Sequence, residues 1–284
     1  MNTFSNRDIA DYYNQTMNHY RRWWHLDEVQ SVHYGYFDKT TRNFKEALLK
    51  MNEVMAQTAQ VKKTDRVLDA GCGVGGSLFY LADRFGITGT GITLSEKQLA
   101  YATKTNEKRK SSKLLSFFLK DYTDTGFPEN AFHLIWALES ITSAAEKKKF
   151  AREAFRLLKP GGRLIVADYY KTGRPDTKQR LEKWRKTWSM APFVTSAEFT
   201  AIFKDAGFKH IETKNITKNI KPSAKLMYRA SLLGALPSLL YNITHKTSRF
   251  AKTHYLSGIY QYKALKRQLW EYHIHLFEVA DKNK

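Results

Sequence analysis

The stretch of this 284-residue chain best equipped for chemistry is Val67-Leu68-Asp69-Ala70-Gly71-Cys72-Gly73-Val74-Gly75-Gly76-Ser77. An acidic residue ends a short apolar run, and alternating glycines follow. With no Cβ, Gly71, Gly73 and Gly75 let the backbone turn tightly and approach a ligand closely. A dinucleotide fingerprint would place its third glycine three residues after the second, setting a helix N-terminus against a pyrophosphate. Here the step is two, and Asp69 would repel a pyrophosphate but accept from an ammonium group or anchor the loop. A second carboxylate, Glu139, follows the apolar run 131–137, with Trp136 close in sequence. In an apolar pocket such a group stabilises a cation and removes a proton, or it pairs with a basic neighbour or a ligand amine.

These residues need elements to hold them. Residues 66–70, 89–93, 114–119, 131–137 and 163–168 read as strands. Between them 77–85, ended by Gly86, then 96–110 and 146–158, stopped by Pro160-Gly161-Gly162, read as helices. The alternation indicates βαβ units, a parallel sheet covered on both faces and a ligand at the carboxyl ends of the strands. Upstream, 6–28 and 41–60 read as helices joined by an aromatic turn at 32–38. Downstream, 177–188 and 197–206 read as helices, 210–216 as a strand, 223–251 as a long helix broken near Pro237, and 272–279 as a last strand. The expected organisation is a helical lid over residues 1–60, a ligand-binding core over 61–170, and a cap with the last strands over 171–284 that roofs the site.

The glycine string closely resembles motif I of class I S-adenosylmethionine-dependent methyltransferases. The resemblance implies an α/β fold: a Rossmann-like seven-stranded methyltransferase sheet with N-terminal helices and a helical C-terminal cap. It implies S-adenosyl-L-methionine as cofactor, contacted at Asp69, Gly71, Gly73 and Gly75. Thr93-Leu94 stands where this fold usually presents an acidic residue to the ribose, so that contact is one hydroxyl hydrogen bond or falls to Gln98. Asp121-Tyr122 matches the adenine position, with capping of its own turn as the alternative role for Asp121. A finer resemblance, to the branch with sterol, tocopherol and prenyl-diphosphate C-methyltransferases, rests on Tyr12-Tyr13 with Tyr20, on His33-Tyr34-Gly35-Tyr36-Phe37-Asp38, and on Ala137-Leu138-Glu139-Ser140. It implies Glu139, His33, Tyr36 and Tyr13 as catalytic residues and Ala137 beside the cofactor. His33, Tyr34, Tyr36, Trp23 and Trp24 are candidate pocket walls, although packing explains the two tryptophans better. The branch commonly reads Glu-Ser-x-x-His, and this chain has Ser143 in place of the histidine.

Composition narrows the reaction. The net charge is +20, and residues 171–284, with 22 basic and 8 acidic side chains, carry +14 of it. That excess suits a phosphorylated substrate, a nucleic acid, an anionic membrane surface or simple solubility. Nucleic-acid methyltransferase motifs such as Asn-Pro-Pro-Tyr are absent after the fourth strand. A cationic amine gains nothing from a basic roof, whereas a diphosphate ester does. The expectation is C-methylation of a small anionic isoprenoid, a farnesyl or geranyl diphosphate in terpenoid biosynthesis, with carbocation rearrangement or cyclisation able to follow and Mg2+ entering only with that substrate. The alternatives are a sterol or tocopherol-type acceptor and a small amine. His273 and His275 have no ligand partners at metal spacing, so no protein metal site is expected. One cysteine and no basic-then-apolar leader point to a reducing, cytoplasmic setting. The run 232–240, broken by Gly234 and Pro237, is too short to span a bilayer, which leaves peripheral membrane contact open.

Overall fold

The computed structural model describes residues 4–23, 26–244 and 249–280. Its sheet has seven strands in the order β3-β2-β1-β4-β5-β7-β6. These are β1 (Arg66–Ala70), β2 (Thr88–Thr93), β3 (Leu115–Leu119), β4 (Phe132–Leu138), β5 (Leu158–Lys171), β6 (Phe208–Asn215) and β7 (Trp270–Val279). The first five run parallel, and β7 lies antiparallel between β5 and β6. Alternate residues of one strand reach opposite faces. Val67, Leu134, Trp136 and Ile165 therefore enter one buried cluster, while Leu68, Ile135, Ala137 and Val166 enter the other.

The helices are α1 (Asn6–Trp23), α2 (Leu26–Val29), α3 (Phe44–Thr58), α4 (Gly76–Phe85), α5 (Glu96–Asn106), α6 (Lys147–Leu157), α7 (Arg180–Thr187), α8 (Ser196–Asp205), α9 (Thr217–Thr244) and α10 (Arg249–Lys266). Gly86, in the left-handed conformation, ends α4 where the sequence indicates. Three boundaries differ from expectation. Pro160-Gly161-Gly162 does not precede β5 as a separate turn: Leu158 already pairs with Phe132 and Arg163 with Leu134, so the intervening residues bulge out of the ladder. The long helix starts at Thr217, whose amide is capped by the Asn215 side chain, and it runs through Pro237 unbroken. Both of its prolines face solvent, where water can satisfy the carbonyl that each leaves without its helical donor. A further helix, α10, packs antiparallel beside it without having been expected as a separate element; a Cβ on Gly258 would stand 2.8 Å from the Met227 carbonyl oxygen. No described helix is long and apolar enough to cross a membrane.

Candidate active site

A cleft of about 1110 Å³, counted to its open mouth, lies over the carboxyl ends of β1, β2, β4 and β5. Its two ends differ in construction.

At the first end, the amides of Gly71 and Cys72 both donate to the Ile92 carbonyl, turning the chain out of β1. Gly71, at φ 98°, has no room for a side chain, since a Cβ would lie 2.5 Å from that of Ser140. Ser140 in turn donates to the Ala70 carbonyl at 2.6 Å, tying the end of β4 to the glycine loop. Gly73, at φ 53°, points its missing side chain between Gln98 Nε2 and Val32 Cγ2, both 3.7 Å away. Asp69 lines the cleft, and burial, offset by no cation or hydrogen bond among the described residues, pushes its carboxyl up to about 8. A buried carboxylate lacking a cation, set against a glycine cradle, fits a ligand carrying an ammonium group. The Thr93 hydroxyl donates to Gln98 Oε1 at 2.9 Å, so its proton is already committed, and the Gln98 amide is the group presented to a ligand. Leu94 and Tyr122 also line this end.

At the second end stands Glu139, in the left-handed conformation at φ 53°, its amide still bonded to the Ala167 carbonyl across the sheet. Its Oε1 accepts from the Tyr34 amide at 2.7 Å and from the Tyr272 hydroxyl at 2.9 Å, and its Oε2 accepts from the Tyr169 hydroxyl. Burial pushes this carboxyl up to about 8 although the three donors pull the other way. Among the described residues no basic side chain pairs with it, which leaves the base and the ligand-amine roles. The rings of Tyr34, Tyr169, Tyr272 and Trp188 pack around it, with Tyr169 and Tyr272 centred 5.2 Å apart, edge to face. Tyr13 lines the cleft and hydrogen bonds to Ser143, the residue that replaces the branch histidine; burial and the charge of Glu139 raise its hydroxyl to about 12. His33 also lines it, Nδ1 donating to the Tyr34 carbonyl at 2.9 Å, which leaves Nε2 as the basic nitrogen. Burial lowers the ring to about 4, so it is neutral at pH 7.

Four expected site residues stand elsewhere. Tyr36 packs against the core under α3. Ala137 alternates onto the α6 face of β4 and is fully buried there. Gly75 lies behind the loop, where a Cβ would strike Phe79 and Phe117 at 3.0 Å; it starts α4 and does not line the cleft. Asp121 is outside the lining too, one oxygen capping the Thr123 amide and the other accepting from Asn6 of α1. Tyr34 serves through its amide and its ring. The side chains of Tyr20, Trp23 and Trp24 lie outside the described residues. A prenyl diphosphate acceptor would need some of Lys171, Arg174, Lys178, Arg180, Arg185 and Lys186 to point inward, and none of the six lines the cleft. Arg185 is buried but held by Glu182 and the Met190 carbonyl, while Arg174, Lys178 and Arg180 line a separate surface depression with Arg267.

Sequence reasoning missed Asp168, Tyr169, Trp188 and Tyr272. Asp168 is buried and accepts from the amide and hydroxyl of Thr142, fixing the segment after Glu139. Its position at the carboxyl end of the strand next to β4 was the available signal for it and for Tyr169.

Comparison with known proteins agrees with this geometry. Residues 68–166 match the family model described as a methyltransferase domain. The chain is 27% identical over 246 residues to the chloroplastic tocopherol O-methyltransferase of Arabidopsis thaliana, covering 80% of this chain and 70% of that one. It is 32% identical over 192 residues to the 2-methyl-6-phytyl-1,4-hydroquinone methyltransferase of Synechocystis sp., covering 64% and 58%. Among solved structures, geranyl diphosphate C-methyltransferase from Streptomyces coelicolor superposes with a TM-score of 0.75 at 18% identity over 96% and 97% of the two chains, a likeness of fold.

Proposed function

Proceeding from a class I S-adenosylmethionine-dependent methyltransferase, we propose that this enzyme methylates a carbon of an apolar, uncharged small molecule with an isoprenoid part, prenylated hydroquinones foremost. One observation carries the reading: the acceptor end of the cleft is Glu139 in a box of aromatic rings, with no cationic cap side chain among the described residues lining it. A diphosphate ester wants paired cations, each charge-assisted bond contributing about 1.5–3 kcal/mol. The one lysine in the wall, Lys120, has its ammonium bonded to the Thr125 carbonyl at 2.7 Å. The prenyl diphosphate acceptor that the charge distribution favours therefore gives way to the tocopherol-type alternative, in keeping with the substrates named for the two curated relatives.

Asp69, the loop from Gly71 to Gly73, Leu94, Gln98 and Tyr122 would hold the cofactor, Asp69 at its ammonium group. When bound, S-adenosylmethionine supplies an electrophilic methyl group. Transfer to a ring or alkene carbon leaves positive charge on the acceptor, which the faces of Tyr169 and Trp188 stabilise. Glu139, held by three donors at a fixed angle, takes the proton that must leave. Its acidity, weakened by burial to a pKa of about 8, suits a base that works near neutral pH.

A mass-spectrometric assay with S-adenosylmethionine and a prenylated hydroquinone, a prenyl alcohol, its diphosphate and sarcosine tests the reading. Carbon methylation of the hydroquinone is expected. Faster turnover of the diphosphate than of the alcohol, with a KM that climbs with salt, would overturn the choice of an uncharged acceptor, and N-methylation of sarcosine would overturn carbon transfer.

A further inference from the structure

We infer that the outer face of α9 docks on an anionic lipid bilayer. Lys218, Lys221, Lys225, Arg229, Leu232, Leu236 and Leu239 follow one another at steps of three and four, so they form one ridge along the helix. Every one of them is exposed. Leu233 and Leu240 flank the apolar half, and Leu233 and Leu236 are 75% and 65% exposed, unusual for leucines grouped on one surface. The opposite side of α9, with Ile220, Ala224 and Met227, is buried, so the helix is already seated and its ridge is surplus to the fold.

The charge around the ridge selects the partner. Between Glu212 and Glu271 the sequence has no aspartate or glutamate, against eleven lysines and arginines. A second copy laid over the whole of this face would leave the basic half against leucines or against other cations, with no carboxylate on either α9 or α10 to offset it. An anionic bilayer meets both halves, phosphates taking the basic end while the leucines enter the headgroup and acyl boundary. This use of the +14 in residues 171–284 is independent of the acceptor's chemistry. The docked helix reaches the site only at one remove: α10, packed beside it, meets Tyr12 through His254 at 3.2 Å, and Tyr12 lines the cleft.

Vesicle co-sedimentation of the full chain tests the inference, using phosphatidylcholine alone and phosphatidylcholine mixed with phosphatidylglycerol. Binding is expected to the mixed vesicles, weakened by salt. Leu233→Glu with Leu236→Glu should lower partitioning by about tenfold or more. Lys221→Glu with Lys225→Glu should remove the preference for the anionic lipid. Each variant should keep the wild-type melting temperature and affinity for S-adenosylhomocysteine, since these side chains touch neither core nor cleft. Equal binding by wild type and the leucine variant, or no binding to anionic vesicles, would overturn the proposal. So would a concentration-dependent dimer in sedimentation velocity that the leucine variant abolishes while vesicles bind neither protein.

Discussion

The glycine end of the cleft and the Glu139 end are built in opposite ways. The first is one continuous stretch, Asp69 to Ser77, with the end of the neighbouring strand, and its shape lies in the backbone: glycines at positive φ and a side chain excluded by Ser140. The second is assembled from side chains brought in from afar, Tyr34 at 105 residues from Glu139 and Tyr272 at 133. A substitution at 169, 188 or 272 reshapes the acceptor wall and leaves the loop alone. Cofactor binding and acceptor choice are thus separable properties of this fold, and each expectation below strains that separation at a different point.

The largest effects should come from a matched pair of variants. Glu139→Gln keeps shape and removes the base, so turnover should fall by about 100-fold or more while cofactor affinity, read by calorimetry, stays constant. Gly73→Val should do the reverse. Valine is strained at φ 53°, and its branches would enter the cleft toward Gln98 and Val32, so cofactor binding should be lost from a protein that still folds. If Glu139→Gln costs cofactor binding as much as turnover, the carboxylate is a ligand of the cofactor's amine and the two ends are one.

A smaller effect follows from the pKa of Asp69, which burial raises from the usual carboxylate range to about 8. The sign is that of a folded-state value above the unfolded one. Stability from the protonated group is full below about pH 4 and is lost as pH rises through about 8. A ligand ammonium reverses the shift, so binding near pH 7 should expel a proton and tighten by up to about tenfold per pH unit until about pH 8. Calorimetry of S-adenosylhomocysteine in buffers of different ionisation enthalpy measures that proton, and Asp69→Asn should abolish it. No release from the wild type would remove Asp69 as the ammonium's partner.

The same contrast explains what could be read in the sequence. β1 falls on residues 66–70 as expected because a buried parallel strand is an unbroken apolar run, and a motif contained in ten residues needs no tertiary knowledge. Glu139 was legible from its place after such a run. Its partners were not: the strand signal in β5 fades at Asp168, while the ladder with β7 continues through Tyr169 to Lys171. That pairing sets Tyr169 opposite Tyr272, a register no local pattern encodes. The Ala137 side chain turns away from the cleft for a reason of period two, since its neighbours Trp136 and Leu138 face the other side of the sheet. Pro237 misled because the damage a proline does depends on whether the freed carbonyl meets water, and only the packing of α9 decides that.

The smallest expected effect concerns Thr93, where sequence position left the ribose contact to its hydroxyl or to Gln98. Its hydroxyl donates to Gln98 Oε1 and accepts from the Ser95 amide at 3.2 Å, so it works by orienting the Gln98 side chain and the turn into α5. With Oε1 fixed as acceptor, Nε2 is turned to the loop near Gly73. Thr93→Val removes one hydroxyl at nearly constant volume and leaves Gln98 free to rotate. A lost hydrogen bond of about 0.5–1.5 kcal/mol predicts cofactor affinity weaker by roughly 3- to 10-fold, with turnover at saturating cofactor unchanged. Thr93→Ser keeps the donor and should restore affinity, which an effect of volume alone would not. If Gln98→Ala alone matches Gln98→Ala combined with Thr93→Val, the whole contribution of the pair runs through the glutamine; if the double variant is worse by the full sum of both singles, the two act independently and the hydroxyl touches the ligand itself.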